Sequence, residues 1–305
     1  MKTTIRTFAA AAAVLTCVTA CSLNKTDEVK REREIVFDAV ASGNTKSEEP
    51  APASSLYPEG TPFKVWACAL PGTKSYAQYG AESAALIDGV TAVHSEGSRW
   101  ALPDKPLWPS DGERLSFFAL SPASMEASFS KENGITVDRY DIAEGLDLMY
   151  ADATDLNAES SDGAVKLPFR RALALVRFKA AASLPEGSEI TVKKLSLSGI
   201  ATCGSFRSYP EARWAADRSS KTDIVLFEGS RTLSDAASDL CAGAYMIPQY
   251  AGTTISLLCD ISSGTATLRD QLLTLDCDLS WGSGKLCSYT LKVTQSLSFT
   301  AEKDL

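Results

Sequence analysis

A cysteine at the end of a short apolar run is the clearest piece of chemistry in this chain. Lys2 and Arg6 precede an alanine-rich stretch from Phe8 to Val18, which leads into Val18-Thr19-Ala20-Cys21. A run of that length, with charge before it and a small residue at its end, reads as an export signal and is too short to span a bilayer. A cysteine directly after the small residue matches the bacterial lipobox, in which the thiol is acylated before the peptidase cuts. Cys17 is the competing acceptor, but Thr16 before it suits the peptidase less well than Ala20; ordinary secretion with a chance cysteine is the plainer alternative. The reading assigns residues 1–20 to a signal peptide and Cys21 to lipidation. The mature chain is then expected outside the cytoplasm, held to a membrane by its acyl chains.

The rest of the chain is poor in reactive groups. It has one histidine, His94, in a strand-to-turn stretch, so histidine-dependent catalysis and multi-histidine metal sites are nearly removed. Six cysteines follow the signal: Cys68, Cys203, Cys241, Cys259, Cys277 and Cys287. None forms a C-x-x-C pair, so zinc and redox motifs are not supported. Export permits disulfides, but their pairing stays open, and small buried thiols suit the apolar patterns equally well. Trp281-Gly282-Ser283-Gly284-Lys285 has Leu279 and Leu286 where a phosphate loop needs glycine and a hydroxyl residue, and reads as a glycine turn between strands 273–281 and 286–299. No G-x-S-x-G nucleophile elbow is present. The acids Asp138, Asp141, Glu144, Asp147, Asp152 and Asp155 lack the alternation of a calcium loop and read as a solvated loop. Trp66, Trp100, Trp108 and Trp214 could stack on sugars, although tryptophan is more often core mass. With 38 acidic against 30 basic residues and a net charge of -8, the surface repels phosphate backbones, which excludes nucleic acid as a partner. The expectation is a protein without catalytic residues, cofactor or metal, not an enzyme.

The elements that carry these residues read as strands. Hydrophobic content of 45% with 22% charged residues is a globular composition. The charged segment 21–33 reads as a tether, Glu34–Val40 as a short first strand, and Ala41–Ser55 as an exposed polar loop. Strand patterns recur at 63–70, 114–120, 165–178, 190–197 and 254–259, separated by Gly, Pro, Ser and Asp. No long run has a period of 3.6, so the fold class is all-β, built from β-sandwiches. The cleanest alternation is at the C-terminal end, where Cys287, Tyr289, Leu291, Val293, Gln295, Leu297 and Phe299 face one way and polar residues the other. That is long for one strand, so it crosses a sheet edge to edge, bends near Gln295, or extends beyond its own domain.

The ordered set of runs resembles a known family. After the lipobox come Ile35-Val36-Phe37, Phe63-Lys64-Val65-Trp66-Ala67, Leu107-Trp108-Pro109 and Leu115-Ser116-Phe117-Phe118-Ala119-Leu120-Ser121-Pro122. Then follow Asp147-Leu148-Met149-Tyr150-Ala151, Val165 through Phe178, Leu195 through Ile200, Trp214, Met246-Ile247-Pro248-Gln249 and Trp281 through Lys285. In this order they resemble the fimbrillin-like (Mfa-like) lipoproteins of Bacteroidetes across nearly the whole chain, with Arg171 where the family usually has histidine. The resemblance implies two tandem transthyretin-like β-sandwich domains, 34–160 and 161–305, in a fimbrial subunit exported as an outer membrane lipoprotein to the cell surface. It implies protease cleavage after a basic residue behind the first strand, here Lys46 in place of the usual arginine. The vacated groove would be filled by a strand of a neighbouring subunit, with Tyr289, Leu291, Val293, Leu297 and Phe299 as this chain's donor candidates. The implied partners are other fimbrial subunits, the outer membrane, and a host or bacterial surface ligand, with adhesion as the outcome. Many relatives continue beyond the position of Leu305, so an anchor or accessory subunit that keeps its lipid is the other form of this reading. A surface glycan-binding lipoprotein using the tryptophans is the alternative from another class.

Overall fold

The computed structural model describes residues 33–41, 57–58, 60–95, 99–109 and 112–304, and Cys21 and Lys46 lie outside them. The described residues form nineteen strands with little helix. The first nine are β1 (Val36–Ala41), β2 (Phe63–Pro71), β3 (Ala84–Ser95), β4 (Arg99–Ala101), β5 (Glu113–Ser121), β6 (Ser128–Ser130), β7 (Gly134–Asp141), β8 (Met149–Leu156) and β9 (Val165–Arg171). The remainder are β10 (Ala174–Ala182), β11 (Ser188–Ala201), β12 (Cys203–Arg207), β13 (Arg213–Ala216), β14 (Lys221–Thr232), β15 (Ser238–Met246), β16 (Tyr250–Ser263), β17 (Ala266–Ser280), β18 (Leu286–Val293) and β19 (Phe299–Lys303).

Seven of these close a barrel in the order β1-β4-β3-β2-β5-β8-β9. Its central strands, β2 and β5, are buried on both faces. Phe63, Val65, Ala67, Leu115, Phe117 and Ala119 point into the barrel, while Trp66, Cys68, Phe118 and Leu120 point out into a second core. The four-stranded sheet β13-β12-β7-β6 contributes Ile135, Val137, Tyr140 and Phe206 to that outer core. Burial of both faces explains why β2 and β5 read as unbroken apolar runs and not as alternation. The covering sheet takes β6 and β7 from before residue 160 and β12 and β13 from after it.

The C-terminal half packs sheet β15-β10-β18-β19 on sheet β14-β11-β16-β17 around a third core. Here alternation is regular: inward Ala251, Thr253, Ile255, Leu257, Cys259 and Ile261 of β16 are buried, and the residues alternating with them are not. β10 and β18 run parallel, in register from Leu175↔Leu286 to Ala182↔Val293. β17 is a long edge strand, a hazard for unwanted pairing. Its ladder shifts between Cys259 and Ile261, and Asp270 adopts φ 54° opposite that shift. Asp260 Oδ1 accepts from the Asp270 amide at 2.9 Å, and Lys193 Nζ donates to Asp270 at 2.6 Å. The pinned bulge breaks the flatness of the edge.

One expectation changes here, and one open alternative is decided. The acidic stretch read as a solvated loop contains β8, because Met149, Tyr150 and Ala151 supply a buried segment. The long C-terminal alternation bends: β18 ends at Val293, the Thr294 amide donates to Ser298 O, Leu297 takes φ 56°, and β19 returns antiparallel.

Candidate assembly site

β1 is the closing strand of the barrel. It pairs antiparallel with β4 only at Val36↔Ala101 and Phe37↔Trp100, and parallel with β9 from Phe37↔Val165 to Ala41↔Phe169. Its inward Phe37 and the Ile35 that precedes it are fully buried. The Phe37 ring meets Phe63 and Phe117 edge-on, at centroid distances of 6.2 and 5.7 Å. Tyr57 covers the same pocket, packing on Phe63, Trp100 and Phe169, and its hydroxyl donates to Ser121 Oγ at 2.9 Å. Burial pushes the Tyr57 hydroxyl up to about 12, against the smaller lowering effect of Ser121.

Outside the pocket the hold on β1 is polar and exposed. Arg99 Nε lies 3.4 Å from Asp38 Oδ1. The Ile35 amide donates to Pro106 O at 2.8 Å, the Trp108 amide to Arg33 O at 2.9 Å, and Arg33 Nη1 to Ala158 O at 2.9 Å. Loss of β1 would therefore uncover an aromatic slot lined by Phe63, Trp100, Phe117 and Phe169. It would also leave backbone donors and acceptors of β4 and β9 without partners, which is the condition a complementary strand satisfies.

The fimbrillin-like family model matches residues 57–303. The chain belongs to this family. A solved structure of a fimbrial protein from Bacteroides vulgatus is similar at TM-score 0.64 and 16% identity, covering 88% of this chain and 98% of that one. Candidate cell adhesion proteins from Bacteroides uniformis and Bacteroides ovatus follow at TM-score 0.54, with 13% and 14% identity, covering 88% and 90% of this chain and 98% and 96% of theirs. At those identities the likeness establishes a shared fold. A search of curated proteins gives no match.

The donor candidates of this fimbrillin-like chain sit in its own C-terminal core. Tyr289, Leu291 and Val293 are buried on β18, between β10 and β19, and Tyr289 stacks on Phe178 at 5.2 Å. Leu297 lies in the turn, and Phe299 is buried on β19, the sheet edge. Polar contacts along the hairpin hold β19: Lys292 Nζ donates to Glu302 at 2.6 Å and Thr290 Oγ1 to Asp304 at 2.8 Å.

The other residues singled out by type are structural. Trp66 and Trp100 are buried, Trp108 packs on Phe117, and Trp214 Nε1 donates to Ala172 O at 2.7 Å, so these rings serve the cores. His94 lies edge-on to Trp100 at 5.1 Å. The acidic set is dispersed into pairs: Asp147 with Arg171 at 2.8 Å, Asp152 with Arg170, and Asp155 Oδ1 accepting from the Tyr76 amide at 2.7 Å. Asp141 caps the Ala143 amide and accepts from Cys203 Sγ, contacts that hold its carboxyl below the usual range. Among the described residues, no group of three or more His, Cys, Asp or Glu is placed to hold a metal. Of the six cysteines, five are buried and Cys277 is partly exposed. Among the described residues no helix is long and apolar enough to cross a membrane.

Residue typing alone passed over Tyr57, Arg99 and Phe169 as parts of the slot. Tyr57 had a signal, an aromatic residue beside Pro58 at the end of a polar stretch. Arg99 and Phe169 become slot residues only once β4 and β9 are known to flank β1.

Proposed function

We propose that this protein is a structural or accessory subunit of a cell-surface fimbria that joins its neighbours by exchange of β1. The observation that carries the reading is the seat of β1: a short strand closing a barrel, with an aromatic pocket beneath it and only two register pairs to β4. Lys46 lies shortly after β1 in the sequence, and cleavage there would free the strand from the body of the protein. The vacated slot takes an alternating apolar strand, which the neighbour supplies, and the β18–β19 segment with Tyr289, Leu291, Val293, Leu297 and Phe299 is this chain's counterpart. Export as an outer membrane lipoprotein through Cys21 and two tandem transthyretin-like sandwiches dividing near residue 160 belong to the same proposal. Family membership supports a fimbrial role. The test is trypsin trimming of the purified full chain, followed by size analysis in detergent and intact mass. Species starting at Ser47 that form detergent-resistant multimers are the expected result; trimmed chains that stay monomeric would sink the exchange mechanism.

A further inference from the structure

The outer face of β16 and β17 carries a hollow that the assembly reading does not use. Along β16 the outward positions run Tyr250, Gly252, Thr254, and the register places Ser280, Asp278 and Asp276 beside them on β17. Gly252 thus leaves a gap in a row of outward side chains. Across the gap, on β11, Gly199 has φ 81°, and a Cβ there would come within 3.0 Å of Gly252 O. The two glycines let β11 and β16 approach closely while presenting no side chain, and the result is a shallow hollow of about 490 Å³.

The rim of this hollow is of one chemical kind. Ser198 and Thr254 bring hydroxyls, Asp276 and Asp278 bring carboxylates, and no basic residue lines it. Thr254 Oγ1 donates to Asp276 Oδ1 at 2.6 Å, which fixes that carboxylate. Just beyond the rim, one outward position before Gly252 on β16, stands Tyr250, 70% exposed, an unusual state for so large a ring. An exposed ring next to carboxylates and hydroxyls over a bare backbone floor offers stacking for an apolar sugar face and acceptors for its hydroxyls.

We infer that the hollow between Tyr250, Gly252 and Asp276 is a shallow binding site for a neutral saccharide. Carboxylate acceptors suit vicinal hydroxyl donors and repel sialic and uronic acids, so the site selects neutral sugars over anionic ones. The inference does not rest on strand exchange, since the site lies on one chain and is complete in the monomer.

Saturation-transfer NMR on the untrimmed monomer tests it, with mannose, galactose and N-acetylglucosamine oligosaccharides as neutral probes and sialyllactose as the anionic one. Expected is millimolar binding of a neutral probe, unchanged by EDTA, with sialyllactose silent. Tyr250→Ala should weaken it at least about tenfold, the effect of losing one stacking contact of ~1.4 kcal/mol. Gly252→Leu, whose Cβ meets Asp278 Oδ1 at an ordinary 3.4 Å, should abolish it by filling the hollow without changing the melting temperature. Absence of transfer to every neutral probe overturns the proposal. So does binding that persists in Tyr250→Ala, loss of binding with EDTA, or equal binding of sialyllactose.

Discussion

Replacing Phe37 by alanine is the sharpest test of how β1 is held. The side chain is fully buried and touches Phe63 and Phe117 edge-on, while its backbone pairs with Trp100 and Val165 need no side chain. Truncation therefore removes packing and leaves the ladder. Burial of a phenylalanine contributes about 1.5–3 kcal/mol, and each edge-on pair adds roughly 0.5–1.5 kcal/mol. The expected loss is about 3–5 kcal/mol, the range of Phe→Ala in cores. At 1.4 kcal/mol per tenfold, opening of β1 becomes roughly a hundred- to several-thousand-fold more frequent. Native-state hydrogen exchange on the full chain reads this directly, as faster exchange of β1 and β9 amides, with urea unfolding reporting the global change. Val40→Ala is the control: that side chain is 43% exposed, and its change should stay within about 0.5 kcal/mol. After trimming, a synthetic peptide of residues 34–41 should restore the melting temperature, and the same peptide carrying Phe37→Ala should not. A loss below about 1 kcal/mol on truncation, or equal rescue by the two peptides, would refute the claim that the Phe37 pocket seats the strand.

Three further outcomes follow from the same geometry. Asp141 has its carboxyl lowered first by the Ala143 amide and then by Cys203, so its contribution is present above the unfolded carboxylate range, near pH 4, and is lost as pH falls through the lower folded value; Asp141→Asn should flatten the acid limb of a stability–pH curve below about pH 4 and leave the pH dependence around neutrality unchanged. Burial pushes the Cys259 thiol up to about 12, so iodoacetamide at mild alkaline pH should label partly exposed Cys277 first and Cys259 only after denaturant, as mass spectrometry resolves. Tyr57→Phe removes a buried hydrogen bond to Ser121 while keeping the ring stack, and should cost about 0.5–1.5 kcal/mol in urea unfolding.

Face was legible in the sequence where neighbour was not. Alternation in β18 marked its buried side correctly, since a period of two follows from the pleat alone. Which strands lie side by side depends on contacts distant in sequence, and no local pattern encodes the parallel seat of β1 on β9 or the barrel it closes. The acids at Asp147 and Asp152 looked like a solvated loop because their partners, Arg171 and Arg170, come from β9. The tryptophans showed the same limit: type suggests a sugar platform, and only packing reveals that Trp66 and Trp100 fill cores. Gly252 within an alternating strand did carry a readable signal, because an isolated strand glycine marks close approach of another backbone.

The seat of β1 also explains how a barrel could lose a strand and keep its shape. Ile35 and Phe37 belong to the inner core alone. The strands that frame that core, β2 and β5, are gripped a second time from outside by Trp66, Cys68, Phe118 and Leu120 packing under sheet β13-β12-β7-β6. Removing β1 strips apolar cover from one face of the framework and leaves the other face intact, whereas removing β2 or β5 would open both cores together. β9 is secured independently of β1: Arg170 and Arg171 at its end pair with Asp152 and Asp147, and the backbone pairs Met149↔Arg171 and Tyr150↔Arg170 tie it to β8. The outer core thus works as a brace that makes the inner slot separable, and weakening the brace should matter more to the trimmed protein than to the intact one. Phe206→Ala, a fully packed change in the covering sheet, should therefore lower the melting temperature of the trimmed chain by more than that of the full chain, and equal losses would show that the two cores do not support each other.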